Sequence, residues 1–169
     1  MRWLLHGPRG HPIHPPLTDA TIGAYTAATV LAVLAAFGVA EDKLAPAWWI
    51  TLVVGLVFNA PTSVTGLLDW KEIARGTPLR RTATTHLLVM VAAAVLFALA
   101  ALTGYGAWSD GDVDALPLVL TLAGFATLTA GGWIGGSIVF EHGMRVEGEP
   151  EKPARDAIVP GERELRDAP

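Results

Sequence analysis

Four long apolar runs, separated by short polar clusters, set the pattern of the chain. They cover residues 17–40, 46–69, 82–103 and 115–140. Each has about 20 residues or more, enough at 1.5 Å per residue to cross a hydrocarbon layer of ~30 Å. Asp19 and Asp69 are the two charges inside them, each within a turn of an end. Alanine, leucine and valine dominate, without the alternation of a strand. A backbone that crosses lipid must satisfy its own hydrogen bonds, so these runs are predicted to be helices. The expected fold is all-α, a polytopic membrane protein built as a four-transmembrane-helix bundle. The first run is too long for the core of a secretory signal and no cleavage pattern follows it, so it is read as a retained helix. Around the spans the pattern gives a His/Pro-rich arm at residues 1–16, a transmembrane domain at 17–142 and a flexible acidic tail at 143–169. It gives no convincing internal repeat.

Composition sharpens this picture. Of 169 residues, 51% are hydrophobic and 17% charged, where a soluble domain carries about 25% charge. Mean hydropathy is +0.42. A disordered chain is excluded, and an ordinary soluble enzyme does not fit. The net charge of −4 argues against a nucleic-acid binder. Cysteine is absent, which excludes disulfides, thiol chemistry, an iron–sulfur cluster on the chain's own ligands and covalently attached c-type haem. The sequence has no Gly-x-Ser-x-Gly elbow, no His-Glu-x-x-His helix and no phosphate-binding glycine loop, so a hydrolase lacks its usual machinery.

Basic residues orient the bundle. Arg2, Arg9, Lys71, Arg75, Arg80, Arg81 and Arg145 all fall on one side of a four-span chain, whereas the other side holds Lys43 beside Glu41 and Asp42, and the acidic loop with Asp110, Asp112 and Asp114. The positive-inside rule places both termini in the cytoplasm, in what is expected to be a bacterial inner membrane. Trp48, Trp49 and Trp108 fit the outer interface and Trp3 and Trp70 the inner one; Trp133 fits neither.

On this topology all five histidines share the cytoplasmic end. His6, His11 and His14 lie in the arm, His86 opens the third span and His142 ends the fourth, with Asp19, Asp69 and Glu141 at the same end. Neutral imidazole is the commonest metal ligand, so His11, His14, Asp69, His86 and His142 are the candidate metal ligands. In the arm, Pro12, Pro15 and Pro16 favour polyproline II, which separates His11 from His14 by roughly 9 Å and suits one of them as a ligand. His142 lies two turns beyond Gly135 and is expected to point into the bundle, with Glu141 turned aside. Gly131 and Gly135, and Gly132 and Gly136, form small-xxx-small pairs that allow close helix packing or make room for a flat macrocycle. Asn59, Thr62, Gly66 and Asp69 stack on one face of the second helix, which Pro61 should kink. Asp69 is either a functional carboxylate or the partner of Arg80 or Arg81. Asp19 favours the N-terminal helix dipole.

The arm His11-Pro12-Ile13-His14-Pro15, the segment Gly66-Leu67-Leu68-Asp69, the isolated His86 and the ending Gly135-Gly136 with Glu141-His142-Gly143 resemble a bacterial four-span membrane family, domain of unknown function 2231. The resemblance covers roughly residues 10–146, and the His-Pro-x-His-Pro start is its most specific element. Members carrying attached Rieske-type redox domains imply an electron-transfer setting, although this chain has no such domain.

The expected function is therefore a redox or metal-centre membrane protein. His86 and His142 are the expected axial pair for a b-type haem, and His14 is a further cofactor ligand. A bare iron, copper or zinc ion is the other expectation. A redox protein or membrane complex is the expected partner, besides the lipid bilayer. The alternatives are a proton or metal-ion transporter that uses Asn59, Thr62 and Asp69, and a structural or partner-binding subunit.

Overall fold

The computed structural model describes residues 11–146, together with Gly7, Pro150, Glu151, Pro153, Ala154 and Ile158. Most of the acidic tail, along with Arg2, Trp3, His6 and Arg9, lies outside the described residues. The four expected helices are present, and local chemistry sets their ends. Helix α1 (His14–Ala36) begins three residues before the apolar run. Pro15 and Pro16 occupy its first turn, where no N–H is needed and the fixed φ already suits a helix. The extended arm expected through Pro16 therefore stops at Ile13.

Helix α2 (Glu41–Glu72) follows a four-residue turn that contains Gly38 at φ 77°. It extends beyond the expected run at both ends and continues through Pro46 and Pro61. Helix α3 (Pro78–Thr103) is capped by Thr77, whose hydroxyl accepts from the Arg80 amide at 3.1 Å. The Arg80 guanidinium in turn closes α2. It donates to the carbonyl of Ile73, at the helix end, and to that of Trp70, which also accepts from the Ile73 amide, and it lies 3.5 Å from the Trp70 ring centroid. A single turn, α4 (Ala107–Asp110), precedes α5 (Ala115–Phe140).

The four long helices each have the length and hydropathy to cross a membrane. Among the described residues all regular structure is helical. Large apolar side chains such as Leu102, Phe140 and Trp133 face outward, as they do toward lipid. Trp133 is 83% exposed, which explains why it fits neither interface. Trp48 departs from the expected interfacial girdle and is completely buried. Trp49 and Trp108 stay near the surface, and the Trp49 indole donates to the Ala101 carbonyl at 2.9 Å.

Contrary to the sequence reading, the bundle is a repeat. A shift of 72 residues carries the buried positions of α1, namely Thr21, Tyr25, Ala28, Thr29, Ala32 and Ala35, onto Ala93, Phe97, Ala100, Ala101, Gly104 and Ala107, all of them buried. A shift of 69 carries Trp48, Leu52, Gly55 and Thr62 of α2 onto Pro117, Thr121, Gly124 and Gly131 of α5, again all buried. The packing has the same symmetry. Helix α1 packs closely on α2 and α3 on α5, and the lighter α2–α3 contact is matched by α1–α5. Two equivalent hairpins thus meet around an approximate two-fold axis. The equivalent rings of Tyr25 and Phe97 stack on each other across it, with centroids 4.0 Å apart and planes inclined by 12°.

Glycines set the distance between the helices. A Cβ at Gly55 would lie 2.6 Å from two Tyr25 ring atoms, and one at Gly124 would lie 3.1 Å from Phe97. The centre of the bundle is therefore a column of α2 backbone, Tyr25, Phe97 and α5 backbone. The Tyr25 hydroxyl inside it has no hydrogen-bond partner.

Candidate functional site

The repeat brings two histidines into equivalence. His14 and Tyr25 are eleven residues apart on α1, as are His86 and Phe97 on α3. Eleven residues make just over three helical turns, so each histidine lies on the same face as its aromatic partner, about 16 Å along the helix. Because Tyr25 and Phe97 stack across the two-fold axis, His14 and His86 flank that axis at a common level. The glycine spacing repeats as well: Gly66 follows Gly55 by eleven residues and Gly135 follows Gly124 by eleven. A Cβ at Gly66 would lie 2.8 Å from the His14 ring, and one at Gly135 would lie 3.0 Å from the His86 ring. Each imidazole therefore rests on a bare helix backbone.

Hydrogen bonds fix which ring nitrogen carries the proton. The His86 Nδ1 lies 2.9 Å from the Gly131 carbonyl. A carbonyl only accepts, so Nδ1–H donates and Nε2 keeps its lone pair. The His14 Nδ1 lies 3.0 Å from the Thr65 Oγ1. The Thr65 hydroxyl proton is directed to the carbonyls of Pro61 and Thr62, each at 3.0 Å. The Thr65 oxygen therefore accepts from His14, and the His14 Nε2 also retains its lone pair. Both rings are thus held half-buried, each in a single tautomer, by a contact to a neighbouring helix.

The remaining candidates are placed differently. His142 is exposed, because α5 ends at Phe140 and the helical stripe does not extend to it. It sits 3.1 Å from the Thr82 hydroxyl, one turn before His86 on α3. Asp69 pairs with Arg145 at 2.6 Å rather than with Arg80 or Arg81. His11 is exposed beside an apolar groove of about 630 Å³ that Ile13, Leu17, Ala20 and Phe58 also line. Asp19 is exposed on α1. Thr62 is engaged by Thr21, hydroxyl to hydroxyl at 2.9 Å. Gly131 and Gly135 face α3 and pack against Met90 and His86, whereas Gly132 has open space around it. Among the described residues, no three His, Asp or Glu side chains come together as a metal-holding group.

The sequence reading named both His14 and His86 but missed that they are equivalent positions of two hairpins, and with that it missed Thr65, the Gly131 carbonyl and Arg145. The available signal was the doubled spacing, a histidine eleven residues before an aromatic ring and a glycine eleven residues before a second glycine.

These features define a four-helix membrane protein of two equivalent hairpins with a pair of histidines inside one end. The profile of a family described as predicted membrane proteins, DUF2231, matches residues 10–148, and the chain belongs to that family. No curated protein and no solved structure matches the chain.

Proposed function

We propose that His14 and His86 are the two protein ligands of a b-type haem, and that the protein serves electron transfer at the cytoplasmic face of a cell membrane. The observation that carries this reading is the tautomer of the two rings. Each donates through Nδ1 and so presents Nε2, the arrangement that a ligating histidine requires. The number of donors favours haem over a bare iron, copper or zinc ion. A haem iron is held by one or two protein ligands, whereas a bare ion usually takes three or more, and the described residues assemble no group of three. One-electron transfer is the chemistry such a group supplies when bound. Thr65 and the Gly131 carbonyl hold the rings in orientation, and Gly66 and Gly135 make room for them. This reading replaces His142 with His14 as the partner of His86. His142 lies nearer the surface, where a redox protein or membrane complex would dock.

The test is an absorption spectrum of the detergent-purified protein, oxidised and then reduced with dithionite, after expression with ample haem. Sharp reduced α and β bands are expected, lost in His14→Ala and in His86→Ala but kept in His142→Ala and His11→Ala. A featureless spectrum together with a metal analysis showing no bound ion overturns the proposal. The alternative is then a structural or partner-binding subunit, a reading supported by the Arg145 ion pair that already engages Asp69.

A further inference from the structure

We propose that residues 143–146 form an electrostatic clasp that controls the access of water to the histidine layer. The chain leaves α5 and reverses at Gly143, at φ 64°. The Met144 amide then donates to the Ile138 carbonyl at 3.2 Å. The Met144 side chain packs against Ile73, Ala83 and Ile138. Ala83 lies one turn before His86, and Ile138 lies one turn after Gly135. Met144 therefore plugs the level directly beyond the imidazoles.

Arg145 holds the plug in place. Its guanidinium lies 2.6 Å from Asp69 and 3.1 Å from Glu72. Both carboxylates belong to α2, so the clasp fastens the end of the second hairpin onto the first. The fastening is opposed from within, because the Arg145 backbone is left-handed, at φ 62°. Side chains other than glycine are strained there. The ion pairs are also partly exposed, with 36% of the Arg145 side chain open to solvent, and salt weakens such pairs. Attraction and strain in opposition make a segment that opens when the pairing charge is removed or screened. The clasp operates whatever the histidines hold, so its test is independent of any cofactor.

The chain has no cysteine, so one introduced thiol reports alone. Ala83→Cys places it beneath Met144, at a position 6% exposed. The readout is the rate of labelling by a water-soluble maleimide in detergent micelles. Labelling should be slow at low salt and faster at high salt. Arg145→Gln should raise the low-salt rate about fivefold, the effect of about 1 kcal/mol of ion pairing on an opening equilibrium, and weaken the salt response. Arg145→Lys should restore slow labelling. A cysteine at Ala93, deep in the core, should stay unlabelled throughout, which separates clasp opening from general loosening. An Ala83→Cys rate that does not change with salt in the otherwise unaltered chain overturns the proposal, and so does a rate unchanged by Arg145→Gln.

Discussion

Replacing Gly55 by alanine tests the central column directly. The new Cβ would lie 2.6 Å from the Cδ1 and Cε1 atoms of Tyr25, about 1 Å inside ordinary carbon–carbon contact. The ring has nowhere to retreat. Its far face is stacked on Phe97 at 4.0 Å, and Phe97 rests on Gly124. The two hairpins must therefore separate, or Tyr25 must leave its rotamer. Overpacking of this kind costs about 1–3 kcal/mol, and the better helix propensity of alanine returns up to about 1 kcal/mol. A net loss of about 1–2 kcal/mol is expected, a fall of about 3–6 °C in Tm for a chain of this size. The assay is thermal unfolding in micelles followed by near-ultraviolet circular dichroism, which reports the packing of the buried rings. Gly132→Ala serves as the reference, since nothing lies within 4 Å of its added Cβ, and it should be neutral or stabilising. Gly124→Ala, at 3.1 Å from Phe97, should fall between them. Trimming the ring should couple to the glycine, so Tyr25→Leu with Gly55→Ala should cost less than the sum of the two changes. If Gly55→Ala melts as high as Gly132→Ala, the column does not set the helix spacing and the argument fails.

Three further outcomes follow from the same structure. Tyr25→Phe removes a buried hydroxyl that has no partner and should raise stability by about 1 kcal/mol in the same melting assay. Arg80→Met removes the guanidinium donor from the Ile73 carbonyl and one of two donors from the Trp70 carbonyl and should cost about 1–2 kcal/mol, with loss of the altered Trp70 fluorescence that a stacked guanidinium produces. Single cysteines replacing Lys43 and Arg75 should react with an impermeant maleimide from opposite faces of the membrane, Arg75→Cys from the cytoplasmic face; labelling from the same face would contradict the four-span topology.

Much of the fold was legible in the sequence because lipid imposes a simple rule: a long apolar run has to become a helix. The fourth span was read to the residue, since Asp114 and Glu141 bound it on both sides. The start of α1 was misplaced because His14-Pro15-Pro16 has the composition of an extended arm, while the same prolines are also at home in a first helical turn. The repeat was hidden because equivalent positions share size more often than identity. Thr21 answers to Ala93 and Tyr25 to Phe97. The connections also differ, a short turn in one hairpin and the α4 loop in the other, so no single offset aligns the halves. His86 stood out in the sequence by its isolation in an apolar span. The inward orientation expected of His142 failed, because the stripe carried forward from Gly135 assumed that the helix continued, and it ends at Phe140.

A true homodimer of one hairpin would have to surround both of its histidines identically. Joining the two hairpins in one chain lifts that obligation, and the chain makes use of the freedom. The first hairpin carries Thr21, Thr62, Thr65 and Asp69 at its cluster of polar positions; the offsets that relate the hairpins take these to Ala93, Gly131, Ile134 and Ile138 in the second. The first set offers hydroxyls and a carboxylate, the second bare backbone and hydrocarbon, and the His86 ring meets the Gly131 carbonyl where His14 meets the Thr65 hydroxyl. The two equivalent rings therefore lie in chemically unlike halves of one bundle, a difference that a symmetric pair of hairpins could not have.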